Sequence, residues 1–325
     1  MENLFRQFNN LNILIVGDVM IDAYLWGKVD RISPEAPVPV VSVNKRENRL
    51  GGAANVALNV RALGANPIIC AVTGDDLDAA EFHNLLNELN LPAEGIIKDP
   101  SRPTTVKTRV IGHSQQIVRI DSENDELLDE EMTQSLLHTI RKIIESRPIH
   151  AIIFEDYDKG VLSPYLITEI VELANQKQII TVVDPKKRNF LDYKDVTLFK
   201  PNLKELREGL KISIDASSPN EVEDAISLLQ DKLNCKMAMV TLSERGVYIS
   251  SAKGKQRIPA HIRNIADVSG AGDTVIATTA VCLASGMDEF TTAAIANLAG
   301  GLVCEYVGVV PVDKEQLLNE AQKKI

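Results

Sequence analysis

A carboxylate and two glycines stand together just before a helical pattern, in residues 267–274 (DVSGAGDT). Backbone N–H groups at the start of a helix bind anions, and Gly270 and Gly272 carry no side chain that would block an approaching anion. Asp273 falls in the first helical turn, where a general base could take the proton of a hydroxyl that attacks a phosphate. A plain glycine-rich turn with an aspartate cap is the alternative, and taken alone the segment favours it.

Polar residues that suit a sugar follow the first predicted strand. Asp18 and Asp22 come at the carboxyl end of that strand, where α/β sheets bind ligands, so both could bind sugar hydroxyls. Turn and capping chemistry explains them equally well. Gly51 and Gly52 open a helix that carries Asn55, and glycines there let the backbone approach either a ligand or a neighbouring helix closely.

Several basic residues stand where a phosphate-binding site could use them. Lys107 and Arg109 are two residues apart on a predicted strand, so their side chains share a face. Lys159 follows one buried strand and Lys186 follows another. Each is also explained as solvated surface charge, so the residues alone leave open which of them contacts a phosphate.

A nucleotide site is compatible with residues 200–205 (KPNLKE). Asn202 and Glu205 place an amide and a carboxylate at a helix start, either as a cap or to position hydrated Mg²⁺ and phosphates. The chain has no Gly-Lys followed by Ser or Thr, no HRD, no DFG and no GxGxxG. These absences exclude a P-loop enzyme and a protein kinase and disfavour a dinucleotide-binding dehydrogenase.

Short β-branched runs that alternate with helical patterns predict the scaffold for these residues. The alternation favours an α/β fold, with a mostly parallel central sheet and helices on both faces. Strands are predicted at 12–16, 67–73, 150–155, 179–184, 196–199, 237–242 and 246–250, and helices at 52–63, 76–89, 129–146, 164–176, 202–210, 221–233, 270–286, 289–306 and 314–323. Two stretches, 22–43 and 96–121, hold strand-like runs without crossover helices, the second with a turn at 112–114. We expect them to form a small antiparallel sheet apart from the main one.

The composition is that of a globular protein, with 45% hydrophobic and 25% charged residues in a chain of 325. A net charge of −10 argues against general binding to nucleic acid or anionic membranes, which rest on positive fields. The four cysteines are expected to be buried free thiols. No signal-peptide pattern and no apolar run long enough to span a bilayer is found, which predicts a cytoplasmic protein.

Taken in order, these segments resemble the ribokinase-like (PfkB) carbohydrate kinases over nearly the whole chain. Residues 267–273 are similar to the DTxGAGD signature of that family, and the other matching residues are Gly17, Asp18, Asp22, Gly51, Gly52, Asn55, Asn202, Glu205, Thr241 and Leu242. Within the family, residues 30–41 (DRISPEAPVPVV) and 156–160 (DYDKG) resemble the kinases of D-glycero-β-D-manno-heptose 7-phosphate. Two positions depart from the pattern: Val268 stands where the family usually has Thr, and Ser243 where the nucleotide loop often has Gly.

The resemblance implies a ribokinase-like fold, with one kinase domain over residues 1–325 and lid segments near 19–45 and 96–121. It implies ATP-dependent phosphorylation of the heptose 7-phosphate at O1, on the route to ADP-heptose for the lipopolysaccharide core. Mg²⁺ and a monovalent cation such as K⁺ are the implied cofactors, and a homodimer paired through the lid is the implied assembly. In many bacteria this kinase is fused to a C-terminal adenylyltransferase domain, which we expect to be absent here.

The implied roles follow the same motifs. Asp273 would be the base, and Gly270, Ala271 and Gly272 would form the anion hole. The sugar phosphate would be held by Asp18, Asp22, Gly51, Gly52, Asn55, Lys107, Arg109, Asp156 and Lys159. The nucleotide would be bound by Asn202, Glu205, Thr241, Ser243, Gly246 and Asn297, with Glu205 reaching Mg²⁺ through water.

Two other functions stay open at this point. A kinase for another sugar or sugar phosphate of the same family would act on ribose or fructose 6-phosphate and not on the heptose. A catalytically silent sugar-binding protein on the same fold would not turn over ATP, although the intact segment 270–273 counts against it.

Overall fold

The computed structural model describes residues 1–113, 115–215 and 218–325. Its helices are α1 (Glu2–Gln7), α2 (Ala53–Ala62), α3 (Leu77–Glu88), α4 (Glu130–Ser146), α5 (Pro164–Gln176), α6 (Leu203–Leu210), α7 (Pro219–Leu233), α8 (Ala271–Ala284), α9 (Glu289–Val303) and α10 (Lys314–Lys324). Its strands are β1 (Asn12–Gly17), β2 (Val19–Ile32), β3 (Pro39–Gly52), β4 (Asn66–Thr73), β5 (Gly95–Lys98), β6 (Val106–Gly112), β7 (Gln115–Ser122), β8 (Ala151–Glu155), β9 (Ile180–Asp184), β10 (Leu198–Phe199), β11 (Met237–Thr241), β12 (Val247–Ser251) and β13 (Gly254–Ile258). Single 3₁₀ turns lie at Phe8–Asn10 and Ser243–Arg245.

Within these ranges, nine strands form the main sheet, in the order β13-β12-β11-β10-β9-β8-β1-β4-β5. Strands β1, β4, β5 and β8 to β11 run parallel, and the hairpin strands β12 and β13 lie antiparallel at one end. The parallel strands are apolar along most of their length because helices cover both faces of the sheet. The predicted mostly parallel sheet is confirmed, and its strands end at one common edge.

Two hydrophobic cores lie on the two faces of the main sheet. Ile13 and Ile15 of β1 pack with α2, α8, α9 and α10 on one face, whereas Leu14 and Val16 pack with α4 to α7 on the other. This alternation is the period-two pattern of a strand, applied to a strand buried on both sides. The predicted placement of helices on both faces is confirmed.

Strands β3, β2, β6 and β7 form a second sheet in that order, called the small sheet below. Only Asp18 separates β1 from β2, and β3 is followed directly by α2. The hairpin β2–β3 is therefore inserted in the chain between β1 and α2 without linkers. It is antiparallel as expected at β2–β3 and β6–β7, but the central pair β2–β6 is parallel. The chain crosses the main sheet through α2, β4, α3 and β5 before it returns, and that crossover allows the parallel pairing. The predicted turn at 112–114 includes Ser114, which lies outside the described residues.

Most element boundaries agree with the sequence within a few residues, because caps mark them. The Asp129 side chain accepts from Met132 N at the start of α4, and Ser163 precedes Pro164 at the start of α5. The sequence patterns do not predict α1, β5 or β13, and β2 starts at Val19, as the lid segment near 19–45 implies, rather than at the start of the stretch 22–43.

All four cysteines are buried and unpaired, as expected. No helix in the described ranges is both long and apolar enough to cross a bilayer.

Candidate active site

Three carboxylates converge at the carboxyl edge of the main sheet. Glu155 ends β8 and Asp184 ends β9, and the strand register pairs these two residues. Asp273, in the first turn of α8, completes the group, and one oxygen of each carboxylate lies within 4.8 Å of the others. Asp273, the predicted base, therefore lies next to two buried acidic residues that the sequence motifs did not identify.

Asp273 accepts a hydrogen bond on each of its two oxygens. Asn55 Nδ2, from α2, donates to Oδ2 at 2.6 Å, and the Tyr157 hydroxyl donates to Oδ1 at 3.1 Å. Asn55 Oδ1 is buried and has no hydrogen-bond partner within the described part of the chain. The amide oxygen of Asn55 can thus accept a hydrogen bond from a ligand hydroxyl beside the base.

The environment of Asp273 suits a general base. Burial raises the pKa of Asp273 to about 6, the hydrogen bond from Asn55 opposes the rise, and the Asp184 carboxylate adds to it. A carboxylate with this pKa is ionised at neutral pH and is a stronger proton acceptor than an exposed one.

The surroundings of Glu155 fit a hard divalent cation. Its Oε2 atom is buried and has no hydrogen-bond partner among the described residues, and the residue is only 1% exposed. Burial, with the Asp184 and Asp273 carboxylates, raises the pKa of Glu155 well above its ordinary value. A cation between the three carboxylates would relieve both the repulsion and the unpaired oxygen, and carboxylate oxygens are preferred Mg²⁺ ligands. Glu155 and Asp184 therefore fit Mg²⁺, with Asp273 beside them.

Two lysines lie beside these carboxylates. Lys200 Nζ binds Asp184 Oδ2 at 2.9 Å, and Lys186 Nζ binds Glu205 Oε1 at 3.0 Å and lies 5.0 Å from the centre of the Tyr157 ring. Burial disfavours the charge on both lysines, but the Asp184 carboxylate raises the pKa of each above its ordinary value. Both stay cationic, so this edge can bind an anion next to a metal ion.

The start of α8 offers free amide donors next to Asp273. Gly270 precedes the helix with a φ of 78°, and a Cβ there would come within 2.9 Å of Val309. Ala271 N donates to Val268 O at 3.3 Å. The amides of Gly272 and Asp273 precede Thr274, whose N–H is the first to donate in the helical pattern (to Gly270 O), so they point to the open end of the helix. Residues 270–272, predicted to form the anion hole, lie at this helix start, and in the described part of the chain the amides of Gly272 and Asp273 have no protein acceptor.

Asp18 and Asp156 hold the loop that follows β8. The Asp18 carboxylate accepts from three backbone N–H groups within 157–161, at 2.8, 3.1 and 3.2 Å. Asp156 accepts from the Tyr193 hydroxyl at 2.7 Å and from Asn189 at 3.1 Å. Both aspartates are 1% exposed. This geometry favours bracing of the loop over contact with a sugar.

The small sheet brings Asp22 and Arg109 together. Arg109 Nη1 donates to Asp22 Oδ1 at 2.5 Å, and its guanidinium lies 5.3 Å from the centre of the Tyr24 ring. The Arg49 guanidinium lies over the same ring at 5.1 Å. A Cβ at Gly51 would collide with the Asp22 carboxylate. Of this group, the sequence predicts Asp22, Gly51 and Arg109, and the structure adds Tyr24 and Arg49.

The two predicted lysines lie together around one carboxylate. Lys159 Nζ binds Glu123 Oε1 at 2.8 Å, and Lys107 Nζ binds Glu123 Oε2 at 3.2 Å. Lys107 also lies 3.8 Å from Asp121. Glu123 thus holds the ammonium groups of Lys107 and Lys159 next to each other, where both could contact an incoming phosphate.

The predicted nucleotide residues lie at the ends of β11 and α6 and on α9. Asn202 and Glu205 form a capping box, with Glu205 N donating to Asn202 Oδ1 at 2.9 Å and Asn202 N donating to Glu205 Oε2 at 2.8 Å. Both Glu205 oxygens therefore have protein partners, and its water-mediated contact with Mg²⁺ stays a prediction.

The loop after β11 contains Ser243, which departs from the family pattern, and its backbone shows why glycine is common at that position. Thr241 ends β11 and bridges to Asn202, and the turn that follows places Ser243 at a φ of 53° and Gly246 at 86°. Serine thus adopts the left-handed backbone that a glycine would adopt at lower cost. Asn297, on α9, donates to Pro259 O at 2.9 Å.

Sequence reasoning missed Glu155, Asp184 and Tyr157 as site residues. A signal existed for the two acids, since each ends an apolar strand run and parallel strands end at one edge. Tyr157 gave no such signal, because its contact with Asp273 spans 116 residues.

Comparisons with known proteins show the family of this chain. The model of the pfkB family carbohydrate kinases matches residues 10–315. The bifunctional protein HldE of Helicobacter pylori strain P12 is 38% identical over 316 residues, which cover 96% of this chain and 68% of that protein. The protein of the same name from Wolinella succinogenes is 40% identical over 298 residues, which cover 91% of this chain and 61% of the relative. The chain thus spans about two thirds of the length of these relatives.

Solved structures share the fold at low sequence identity. Phosphofructokinase-2 from Escherichia coli in complex with potassium superimposes with a TM-score of 0.78 at 16% identity, covering 96% of this chain and 98% of that one. Arabidopsis thaliana ribokinase complexed with ribose and ATP gives a TM-score of 0.74 at 14% identity, covering 96% and 99%. At such identities the likeness shows the fold.

Proposed function

This chain belongs to the pfkB family of carbohydrate kinases, and we propose that it transfers the γ-phosphoryl group of ATP to O1 of D-glycero-β-D-manno-heptose 7-phosphate. The product would be the 1,7-bisphosphate, on the route to ADP-heptose for the lipopolysaccharide core. The observation that carries the proposal is the buried Asp273 at the glycine-flanked start of α8. As a consumer of ATP and a sugar phosphate, the enzyme would act in the cytoplasm.

Asp273 is the general base of the proposed reaction. Its carboxylate takes the proton of the O1 hydroxyl as that oxygen attacks the γ-phosphorus, and the bond from the γ-phosphorus to the bridging oxygen breaks to release ADP. The amides of Gly272 and Asp273 donate to the transferred phosphoryl group, where negative charge is spread over the equatorial oxygens. Lys186, beside the same edge, adds a positive charge on the ATP side of the cleft.

Glu155 and Asp184 are the residues that would hold Mg²⁺, next to the base Asp273. Bound Mg²⁺ neutralises negative charge on the phosphates of ATP. Lys200 limits the net negative charge of the group through its ion pair with Asp184. The nucleotide itself lies against Asn202, Thr241, Ser243, Gly246 and Asn297 in this proposal.

The sugar lies between the start of α2 and the small sheet, which acts as its lid. Asp22 and the unpartnered Asn55 Oδ1 bind hydroxyls, and the glycines at 51 and 52 let the backbone approach the ring. Arg109 and the pair Lys107 and Lys159 supply the charge for the 7-phosphate. Because each of these cations already has a carboxylate partner, the phosphate must replace or share that partner.

We also propose that two copies pair through the small sheet. All but one residue of the edge strand β7 are exposed, among them Ile117, Val118 and Ile120. Exposed strand edges with apolar side chains invite pairing with a second chain.

An ATPase assay coupled to product formation, run over a panel of sugar phosphates with both heptose anomers, tests the proposal. We expect turnover with heptose 7-phosphate to exceed that with ribose and fructose 6-phosphate by orders of magnitude. Turnover with another sugar alone would make the chain a kinase of different specificity, and binding without ATP turnover would make it a sugar-binding protein. Repeating the assay with K⁺ replaced by Na⁺ tests the implied monovalent cation.

A further inference from the structure

The hydroxyl of Tyr157 has no role in the proposed reaction, yet it contacts the base. It donates to Asp273 Oδ1 at 3.1 Å, while Asn55 donates to Oδ2 at 2.6 Å. The two donors come from different places: Asn55 from α2 on one side, and Tyr157 from the loop after β8 on the other. Asp273 is therefore held between two donors, one on each oxygen.

Tyr157 is itself fixed at two further points. Its backbone N–H donates to the buried Asp18 carboxylate at 2.8 Å. Lys186 Nζ lies 5.0 Å from the centre of its ring, a cation–π distance. Asp18 also holds the backbone at Lys159 and Val161, so the whole loop is tied down. A donor on a fixed loop can hold a carboxylate in one orientation.

We infer that Tyr157 is a positioning residue, which with Asn55 holds the Asp273 carboxylate in the orientation that receives the proton of the sugar hydroxyl. The inference rests on the proposed function. Asp273 needs such restraint because Glu155 and Asp184 lie within 4.8 Å and repel its charge. Each carboxylate oxygen accepts more than one hydrogen bond, so one donor on each leaves room for the substrate proton.

The consequence of losing the hydroxyl is a misplaced base with the binding surfaces intact. Misplacement of a catalytic group by about 1 Å can cost up to about a hundredfold in rate. Tyr157→Phe removes the hydroxyl alone and keeps the ring and its contact with Lys186. We expect kcat to fall about tenfold to a hundredfold, with KM for ATP and for the sugar phosphate unchanged within about twofold.

Tyr193→Phe is the matched control. Tyr193 is also a buried tyrosine, and its hydroxyl donates to a carboxylate of the same loop, Asp156 Oδ2, at 2.7 Å. It does not contact Asp273 in the described residues. Y193F should lose stability comparably to Y157F and keep kcat within about threefold. Equal kcat for Y157F and wild type, or equal losses in both variants, would overturn the inference.

A measurement without turnover separates this inference from the proposed function. Unfolding free energies of wild type, Tyr157→Phe, Asp273→Ala and the double variant give the coupling between the two side chains. We expect the loss caused by Y157F to shrink when Asp273 is already alanine. Zero coupling contradicts the positioning role whatever the substrate is. If the wild type phosphorylates no sugar, the proposed function is wrong. The coupling energy between Tyr157 and Asp273 would still show whether these two side chains interact.

Discussion

Replacing Asp273 with asparagine keeps the size of the side chain but removes its ability to accept the proton. Removal of a general base costs about 10²–10⁴ in rate. We expect Asp273→Asn to lower kcat by that order, with the Kd for ATP measured by calorimetry nearly unchanged. A kcat within a few fold of wild type would show that another group takes the proton.

The raised pKa of Asp273 makes the reaction sensitive to acid. Burial brings that pKa to about 6, and only the ionised carboxylate can accept the proton, so protonation at lower pH removes active enzyme. We expect kcat, measured at saturating sugar phosphate, to be level above pH 7 and to fall about tenfold per pH unit well below 6. Saturation separates this effect from titration of the substrate's own phosphate. A kcat that stays level down to pH 5 contradicts the assignment.

From the sequence, residues could be grouped into the candidate site only where they lie close together in the chain. The group Gly270, Gly272 and Asp273 is readable because one turn of chain brings its members together. The two hydrogen bonds that Asp273 accepts cannot be predicted in this way. Their donors, Asn55 and Tyr157, are distant in sequence and meet Asp273 only after the sheet has formed. For Asp18 the sequence and the structure point to different roles. Its residue type and its position after β1 suggested a sugar ligand, whereas its hydrogen bonds to three backbone N–H groups indicate a structural role.

At the scale of elements, the neighbouring strands β6 and β7 of the small sheet offer a test of phosphate recognition. Arg109 on β6 is paired in register with Arg119 on β7, but Arg109 binds Asp22 while the Arg119 side chain is 51% exposed and binds Asp121. We expect Arg109→Ala to raise KM for heptose 7-phosphate about tenfold or more, which corresponds to about 1.4 kcal/mol. KM for ATP should barely change, and Arg119→Ala should leave both constants unchanged within about twofold.

Unphosphorylated heptose is the discriminating substrate for the same variant. If Arg109 contacts the 7-phosphate, Arg109→Ala does little to the weak activity on the unphosphorylated sugar. Equal losses with both sugars would make Arg109 a structural partner of Asp22, and Lys159 would then be the next residue to change.

Elements of the main sheet are readable from sequence because their apolar runs are short, bounded by caps and buried on both faces. The small sheet is harder to predict, because β2 and β3 mix polar and apolar residues and two prolines stand between them. Its parallel pair could not be predicted from spacing, since β2 and β6 lie about seventy residues apart in the chain and pair only through the crossover.

At the scale of the whole molecule, the exposed face of β7 predicts assembly. Ile120 is 56% exposed on this edge strand. We expect wild type to sediment as a dimer at micromolar concentration and Ile120→Glu to sediment as a monomer, because a charge in an apolar interface is costly to bury. Leu77→Glu is the control, since Leu77 is 89% exposed at the start of α3 and does not lie on β7. A monomeric wild type would contradict the proposed pairing.

Strand β1 lies inside the main sheet, between β4 and β8, although its neighbours lie far along the chain. The pairing with its second neighbour, β8, joins Ile13 to Ala151, and the contact of Asn55 with Asp273 spans 218 positions. Contacts this distant in sequence form late, because the chain must first close long loops. We therefore expect the active site to be completed late in folding. After dilution from denaturant, helical circular dichroism should return before phosphoryl transfer does.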